Sequence, residues 1–329
     1  MSEQALPMPL KGPRSHRLIV LAVSFFTVCM LFMTWNTSAS WEFILHFRGK
    51  KLLTLVAVGA AIGIATLLFQ TACQNRILTP GIMGFDAMYL LLQSSFMFLL
   101  GSFGFASMDP IFKWSIQTTA MTFSMLLLFK IVFRGSTASI HLLMLTGVVL
   151  GLGLTSLNGL LLRIMDPTQM AVIQDAFFAS FSATTTELLW LAFIGLFICM
   201  GVLFRIHHKL DVLLLGEWHT NNLGVDYKSL VNMLLVLVTV LVAVSTATVG
   251  PVTFLGLIVV HLTYRLAGSF RHKITIPFAA LMGATILIVG EWALQHVFAF
   301  QTRLSVVIEF MGGLLFLLLI FRQGRKCST

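Results

Sequence analysis

Three acidic residues lie within or beside long apolar stretches, where a carboxylate is costly unless it pairs or faces a cavity. Asp86 follows a segment containing proline and glycine, Glu291 lies near the end of an apolar run, and Glu309 lies deepest in its own. Three carboxyl groups inside a membrane predict a proton or cation relay, the chemistry of an ion-coupled secondary transporter. Asp86 and Glu291 could instead reach water or an arginine at the end of a span, and the spacing alone leaves both interpretations open.

Amide and aromatic side chains are further candidates for a route through the chain. Together with Glu309, we expect Gln70, Asn158 and Phe177 to line a translocation pathway. Hydrogen bonds between neighbouring helices would explain the two amides equally well.

The motifs of enzymes and metal sites are absent from the sequence. There is no GxxxxGK[ST] phosphate-binding loop and no HExxH pair, and His207-His208 is the only histidine doublet. The four cysteines have no metal-ligand spacing. We therefore expect no catalytic residues, no metal and no cofactor bound by this chain.

The composition defines the kind of element that must position these residues. Of the 329 residues, 58% are hydrophobic and 10% are charged, and the mean hydropathy is +0.95. Soluble domains contain roughly 45–50% apolar and about 25% charged residues. Since a membrane-spanning helix needs ~20 apolar residues, the sequence predicts an all-α polytopic membrane protein with one transmembrane domain.

Hydropathy predicts ten membrane spans and one shorter helix. The spans are predicted near 18–36, 52–72, 85–100, 114–133, 140–162, 187–204, 229–248, 252–267, 274–298 and 303–321. The less apolar stretch 164–186 predicts a short re-entrant or interfacial helix after the fifth span. The first run exceeds the ~7–15-residue apolar core of a signal peptide, so we expect it to be retained.

The distribution of lysine and arginine predicts the orientation. With the N-terminus inside, fifteen of these residues lie on the inner side and six on the outer side. Both tails, 1–17 and 322–329, are therefore expected in the cytoplasm. This bias accounts for the net charge of +9, so the charge does not indicate nucleic-acid binding. Half of the outer set is one cluster, Arg48, Lys50 and Lys51, which suggests a function.

Two loops break the pattern of spans and short connections. Between Cys73 and Phe85, Pro80 and two glycines prevent a continuous helix. The segment 205–228 is the longest inner connection and combines an amphipathic piece with two glycine breaks. It predicts a short helix lying across the inner face.

Gly250-Pro251 separates two spans that are otherwise nearly contiguous. Proline interrupts the helical hydrogen bonds, so the chain must reverse at this point. The span that follows is short for a ~30 Å hydrocarbon core. The pair predicts either a hinge that moves when access alternates or a static tight turn.

Four stretches, taken in order, carry a family resemblance. They are residues 52–85, with Gly59-Ala60-Ala61, Gln70, Asn75, Pro80-Gly81 and Gly84; residues 143–162; Leu213–Glu217 with Leu223-Gly224-Val225; and VGPVTFLGLIV at 249–259. In this order they resemble the FecCD-type permeases of iron-siderophore and cobalamin ATP-binding-cassette (ABC) importers. Nearly the whole chain is covered.

Some positions depart from the family pattern. Val260 replaces a proline before His261, Gln295 stands at an expected basic position, and Arg48 and Lys51 stand where the family has two arginines. These departures resemble the divergent subunit of systems with two different permeases. They favour a heterodimer, with a homodimer as the alternative.

The resemblance implies a ten-span permease subunit in the inner membrane of a bacterial cell, together with a set of partners. These are two copies of a cytoplasmic ATPase that uses ATP and Mg, a second permease and a periplasmic siderophore-binding protein. Arg48 and Lys51 would receive acidic side chains of the binding protein. The ATPase would contact a group of coupling residues, namely Leu214, Leu215, Gly216, Glu217 and Gly224.

The implied function is import of a ferric siderophore from periplasm to cytoplasm. Cobalamin or haem import by the same family is the alternative. An ion-coupled secondary transporter is less favoured, because it has no need of a docking helix within 205–228.

Overall fold

The computed structural model describes residues 14–35, 41–132, 140–182, 184–296 and 303–326, and all regular elements in these ranges are helical. The α-helices are α1 (Arg14–Thr34), α2 (Trp41–Ile44), α3 (Lys50–Cys73), α4 (Phe85–Ser107), α5 (Pro110–Val132), α6 (Ile140–Ile164), α7 (Pro167–Ala176), α8 (Thr186–Leu213), α9 (Glu217–Asn222), α10 (Tyr227–Val249), α11 (Leu255–Ala267), α12 (His272–His296) and α13 (Leu304–Lys326). A π-helical turn, Leu45–Gly49, leads into α3, and a 3₁₀ turn, Pro80–Met83, precedes α4. The all-α prediction is confirmed.

Within the described ranges, seven helical stretches are long and apolar enough to cross a membrane. They lie in α1, α4, α6, α8, α10, α12 and the continuous π-turn and α3. Each predicted span overlaps a helix, but α11 and the apolar part of α13 are shorter than a full span. The count of ten spans therefore stays a prediction. The short helix expected after the fifth span is α7, with ten residues.

Helix α3 forms the centre of the bundle. Its apolar window is 83% buried, against 11% for α1, and it packs against α8, α10, α11 and α12. Small residues permit this packing: a methyl group built on Gly59 would lie 2.6 Å from the backbone of Gly283 in α12. Close backbone approach at small residues is how helices associate in lipid, where no hydrophobic force drives them together.

The segment between α3 and α4 is broken, as its proline and glycines predict. Helix α3 ends at Cys73, and the residue that follows it, Gln74, has a left-handed φ of 49°. Gly84, with φ 101°, ends the 3₁₀ turn and allows α4 to begin at the next residue. Helix α4 is itself interrupted at Gly101, with φ 70° and ψ 176°.

Candidate functional site

The predicted coupling segment forms a helix–turn–helix at one end of the bundle. Helix α8 continues to Leu213, so the first third of the segment belongs to that long helix and not to a separate one. Leu214, Leu215 and Gly216 make the turn, and the six-residue α9 follows. Gly216 has φ 90° and Gly224, just after α9, has φ 80°. Both conformations favour glycine, because a side chain would be strained there.

The tip of this projection is apolar and exposed. Trp218 is 72% exposed and Leu223 is 61% exposed, and Leu214 and Leu215 lie beside them on the surface. Four large apolar side chains exposed on one short projection favour a protein contact site there. The predicted set lacked Trp218, although an aromatic residue within a loop of charged and polar residues was the available signal.

Hydrogen bonds hold the projection rigid. The Thr220 hydroxyl lies 3.1 Å from the Val212 carbonyl and 2.7 Å from the Gly216 carbonyl, so it bonds both sides of the turn. Gln74 Nε2, at the end of α3, donates to the Leu213 carbonyl at 3.2 Å. The projection is therefore tied to the central helix.

A second link joins α8 to α12 and α3. Asp211 Oδ1 accepts a hydrogen bond from the His272 backbone N–H and also contacts His272 Nδ1, each at 2.7 Å. His272 Nε2 lies 3.1 Å from the Thr71 hydroxyl on α3. The His272 side chain is 1% exposed and that of Asp211 is 34% exposed. Asp211 thus caps the N-terminus of α12 from another helix, which also suits the helix dipole.

Arg76 fixes the loop after α3 at the same end of the bundle. Its guanidinium carbon lies 4.8 Å from the ring centre of Tyr264 and 5.4 Å from that of Phe270. Burial lowers the pKa of Arg76, and its interaction with the Tyr264 side chain offsets part of that shift. Stacking on two rings holds the loop against α11 and its connection to α12.

The three basic residues of the outer cluster point in different directions. Arg48 Nη1 donates to the carbonyls of Phe32 and Trp35, at 3.1 and 3.0 Å, at the end of α1. Lys51 is 8% exposed and pairs with Glu291 on α12. In this structure Lys51 is thus engaged within the bundle, and its docking to a binding protein stays a prediction. Arg48 stays half-exposed.

The ion pair with Lys51 holds Glu291 away from Asp86, another of the three acidic residues. Glu291 is held by Lys51 and by Gln295 Nε2, which donates to it at 3.1 Å. Asp86 lies in a small cavity with Thr66. Thr66 is fifteen residues, or about 22 Å, along α3 from Lys51. A relay through Glu291 is therefore not formed by these side chains.

Asp86 lies where two breaks in the helices meet. Its cavity is lined by residues of α3, the 3₁₀ turn, α10 and the turn after Gly250, including the threonines Thr66, Thr246 and Thr253. Asp86 Oδ2 is buried without a hydrogen-bond partner among the described residues. Glu309 on α13 is half-buried and within electrostatic range of Asp86.

The Gly250-Pro251 turn is packed tightly. Gly250 has φ 101°, and its N–H donates to the Thr246 carbonyl at 2.8 Å. The Ser180 N–H donates to the Val249 carbonyl at 2.7 Å, and a methyl group on Gly250 would lie 3.0 Å from Ala179 Cα. Helix α11 begins only at Leu255. The turn exists as predicted; its movement as a gate stays a prediction.

The remaining pathway candidates occupy separate places. Gln70 Nε2 donates to the Leu78 carbonyl at 3.1 Å and closes the loop after α3. Asn158 is 6% exposed and accepts from the Ser94 hydroxyl at 2.6 Å, which joins α6 to α4. Phe177 packs beside a small core of Met97, Met165 and Ile173. Their role in a pathway stays a prediction.

Long apolar helices, two turns broken by proline and glycine, and an exposed projection at one end together have the architecture of a polytopic membrane protein. The chain belongs to the FecCD transport family, whose model matches residues 17–322.

Two relatives cover most of the chain. The petrobactin import system permease protein YclO of Bacillus subtilis (strain 168) is 38% identical over 314 residues, 95% of this chain and 99% of the relative. The petrobactin import system permease protein FatC of Bacillus anthracis is 30% identical over 277 residues, 84% and 78% of the two chains.

A solved structure of a metal-chelate type ABC transporter in an inward-facing conformation has the same fold. Its TM-score is 0.80 at 23% identity, and the match covers 94% of this chain and 99% of that one.

Proposed function

We propose that this chain is the transmembrane permease subunit of an ABC importer that carries a ferric siderophore into the cytoplasm. The observation that carries this proposal is the projection at Leu214–Gly224. It is apolar at its tip, rigid at its turn and bonded through Asp211 and Gln74 to the central helices. An ion-coupled transporter needs no such element, whereas a permease driven by a separate ATPase needs a surface that receives its movement.

The partners follow from this role. Two copies of a cytoplasmic ATPase would bind the projections of two permease subunits and use ATP and Mg. The second permease is a different chain in our proposal, with a homodimer as the alternative. Helix α6 offers a surface for it, since Leu145, Val149 and Leu152 are exposed on one side. In our proposal both termini lie in the cytoplasm and the protein lies in the inner membrane.

A periplasmic binding protein would dock at the opposite end. Arg48 is the candidate that keeps an accessible cation there, since Lys51 is buried with Glu291. A charge pair at the rim of such an interface adds modest affinity and a larger effect on orientation. Arg48→Glu is expected to slow association of the binding protein, and an acid-to-lysine change on that protein is expected to restore it in part.

Import in proteoliposomes tests the function. The two permeases and the ATPase are reconstituted, and a binding protein loaded with ferric siderophore is supplied outside. We expect uptake that stops when the ATPase is inactivated and continues in the presence of an uncoupler. Uptake that survives loss of the ATPase but stops with the uncoupler would support the secondary-transporter hypothesis instead. Parallel assays with haem and cobalamin test the substrate alternative.

Trp218 tests the projection itself. Interface energy is concentrated in a few buried aromatic residues, so Trp218→Ala is expected to reduce copurification of the ATPase at least tenfold. Phe204→Ala is the matched control, because Phe204 is also an exposed aromatic residue of this region, 80% exposed on α8. Equal ATPase retention by the two variants would remove the projection from the mechanism.

A further inference from the structure

A groove between α3 and α8 contains Lys50, the third basic residue of the outer cluster. The groove has a volume of about 350 Å³ and is lined by His46, Lys50, Leu53, Thr186, Leu189, Trp190, Phe193 and Phe197. This size lies within the range of ligand-binding clefts. Lys50 forms no ion pair among the described residues, whereas its neighbour Lys51 is paired.

The polar and apolar parts of the groove are separated along the helix axes. His46, Lys50 and Leu53 recur at the spacing of one helix face, with the two polar residues towards the N-terminal end. Across from them, Thr186 begins α8, and Trp190, Phe193 and Phe197 follow at successive turns of one face. The groove is therefore polar and cationic where both helices begin and apolar further along them.

The apolar wall is open to the surroundings and not filled by the protein. Trp190 is 65% exposed, and Phe197, 69% exposed, stacks on Phe193 with ring centres 6.0 Å apart. Leu53 is 48% exposed on the opposite side. In a membrane such a surface contacts acyl chains, and a tryptophan near the end of a span is typical of the head-group boundary.

We propose that this groove binds one anionic phospholipid of the leaflet at the end where α3 and α8 begin. Its phosphate would lie between Lys50 and His46, near the Thr186 hydroxyl, and one acyl chain would lie along Trp190 and Phe197. The long lysine stem reaches the head-group level while its methylenes pack on apolar surface. The charge of Lys50, which opposes the positive-inside bias, is then neutralised by the lipid.

The lipid site is tested by binding, independently of transport. The purified transporter is delipidated in detergent, and mixed micelles of phosphatidylglycerol, of phosphatidylcholine, or inorganic phosphate alone are added. Retained lipid is counted by native mass spectrometry and the melting temperature is recorded. We expect phosphatidylglycerol to be retained and to raise the melting temperature, and the other two additions to have little effect.

Variants locate the site. Lys50→Gln is expected to weaken phosphatidylglycerol retention about fivefold, the loss of one basic contact. Trp190→Ala is also expected to weaken phosphatidylglycerol retention, because it removes the apolar wall along which the acyl chain would lie. Lys130→Gln, which removes the same charge from an exposed position on α5, is the control and should behave as wild type.

Several outcomes would overturn the proposal. Equal retention of the two phospholipids by wild type would exclude a site for an anionic head group. A stabilising effect of inorganic phosphate equal to that of phosphatidylglycerol would indicate a free-anion site. Unchanged retention in Lys50→Gln, together with loss of the second permease in Trp190→Ala, would assign the groove to a subunit contact.

Discussion

Removing the Asp211 carboxylate should disconnect the projection from the core of the bundle. Asp211 makes two hydrogen bonds of 2.7 Å to His272, one to the backbone N–H and one to the ring. Hydrogen bonds to a charged group contribute about 1.5–3 kcal/mol each. Because Asp211 is one-third exposed, water replaces part of what is lost, and we expect Asp211→Ala to cost about 2–3 kcal/mol in total.

The functional effect should exceed the effect on stability. If the projection at Leu214–Gly224 moves, the hydrogen bonds of Asp211, His272 and Thr71 connect that movement to α12 and α3. We expect Asp211→Ala to retain ATP hydrolysis while the substrate imported per ATP falls at least threefold. Asp211→Asn keeps an oxygen that accepts from the His272 N–H, so its effect should be intermediate. The assay compares ATP hydrolysis with uptake in the same proteoliposomes.

Asp109→Ala provides a matched control. Asp109 Oδ1 also accepts two backbone N–H groups, from Ile111 and Phe112 at 2.9 and 3.0 Å, but both lie in the first turn of α5, the helix that Asp109 directly precedes. Loss of this local cap is expected to cost about 1 kcal/mol without changing the ratio of uptake to hydrolysis. If both variants leave that ratio unchanged, or reduce it equally, the Asp211–His272 link does not transmit movement.

Three further substitutions test the geometry. Gly216→Val should place a β-branched residue at φ 90°, at a cost of about 1–3 kcal/mol, and should uncouple hydrolysis from uptake in a protein that still inserts; normal uptake would contradict this. Lys51→Met should destabilise the bundle by about 3–5 kcal/mol, because Glu291 is left buried and unpaired, and the added change Glu291→Leu should restore most of the loss in thermal melting. Gly283→Ala should lower stability by about 1–3 kcal/mol, because its methyl group would collide with the carbonyl oxygen of Gly59 in α3. Gly313→Ala is the control and should be nearly neutral in thermal melting, because a methyl group there meets nothing within 4 Å.

The positions of proline and glycine in the sequence predicted two of the helical breaks. Proline and glycine act on the backbone of their own neighbourhood, so the interruptions before Phe85 and at Gly250 could be read directly. The C-terminal end of α8 was harder to predict from the sequence. Ile206, Leu210 and Leu213 are buried at helical spacing between charged residues, and an average over hydropathy conceals this amphipathic face. The predicted inner loop therefore began too early.

Pairings between distant residues could not be predicted from the sequence. Lys51 and Glu291 are separated by 240 positions, and Asp211 and His272 by 61. Each residue has a plausible local role, an exposed cation for Lys51 and a loop carboxylate for Asp211. Their actual role depends on which helices pack side by side. The close contact of α3 with α12, made possible by Gly59 and Gly283, decides that Lys51 is buried.

The position of Asp86 follows from two breaks that the sequence presents separately. The chain leaves helical geometry before α4 and again before α11, and residues of both turns line one cavity with the Asp86 carboxyl. Gly81 permits this arrangement, because a methyl group there would lie 2.5 Å from Asp86 Oδ2. The first turns of α4 and α11 leave backbone N–H groups without helical partners, and these favour a negative group nearby. A carboxyl group is thus compatible with the interior of this bundle at a junction where two helices begin.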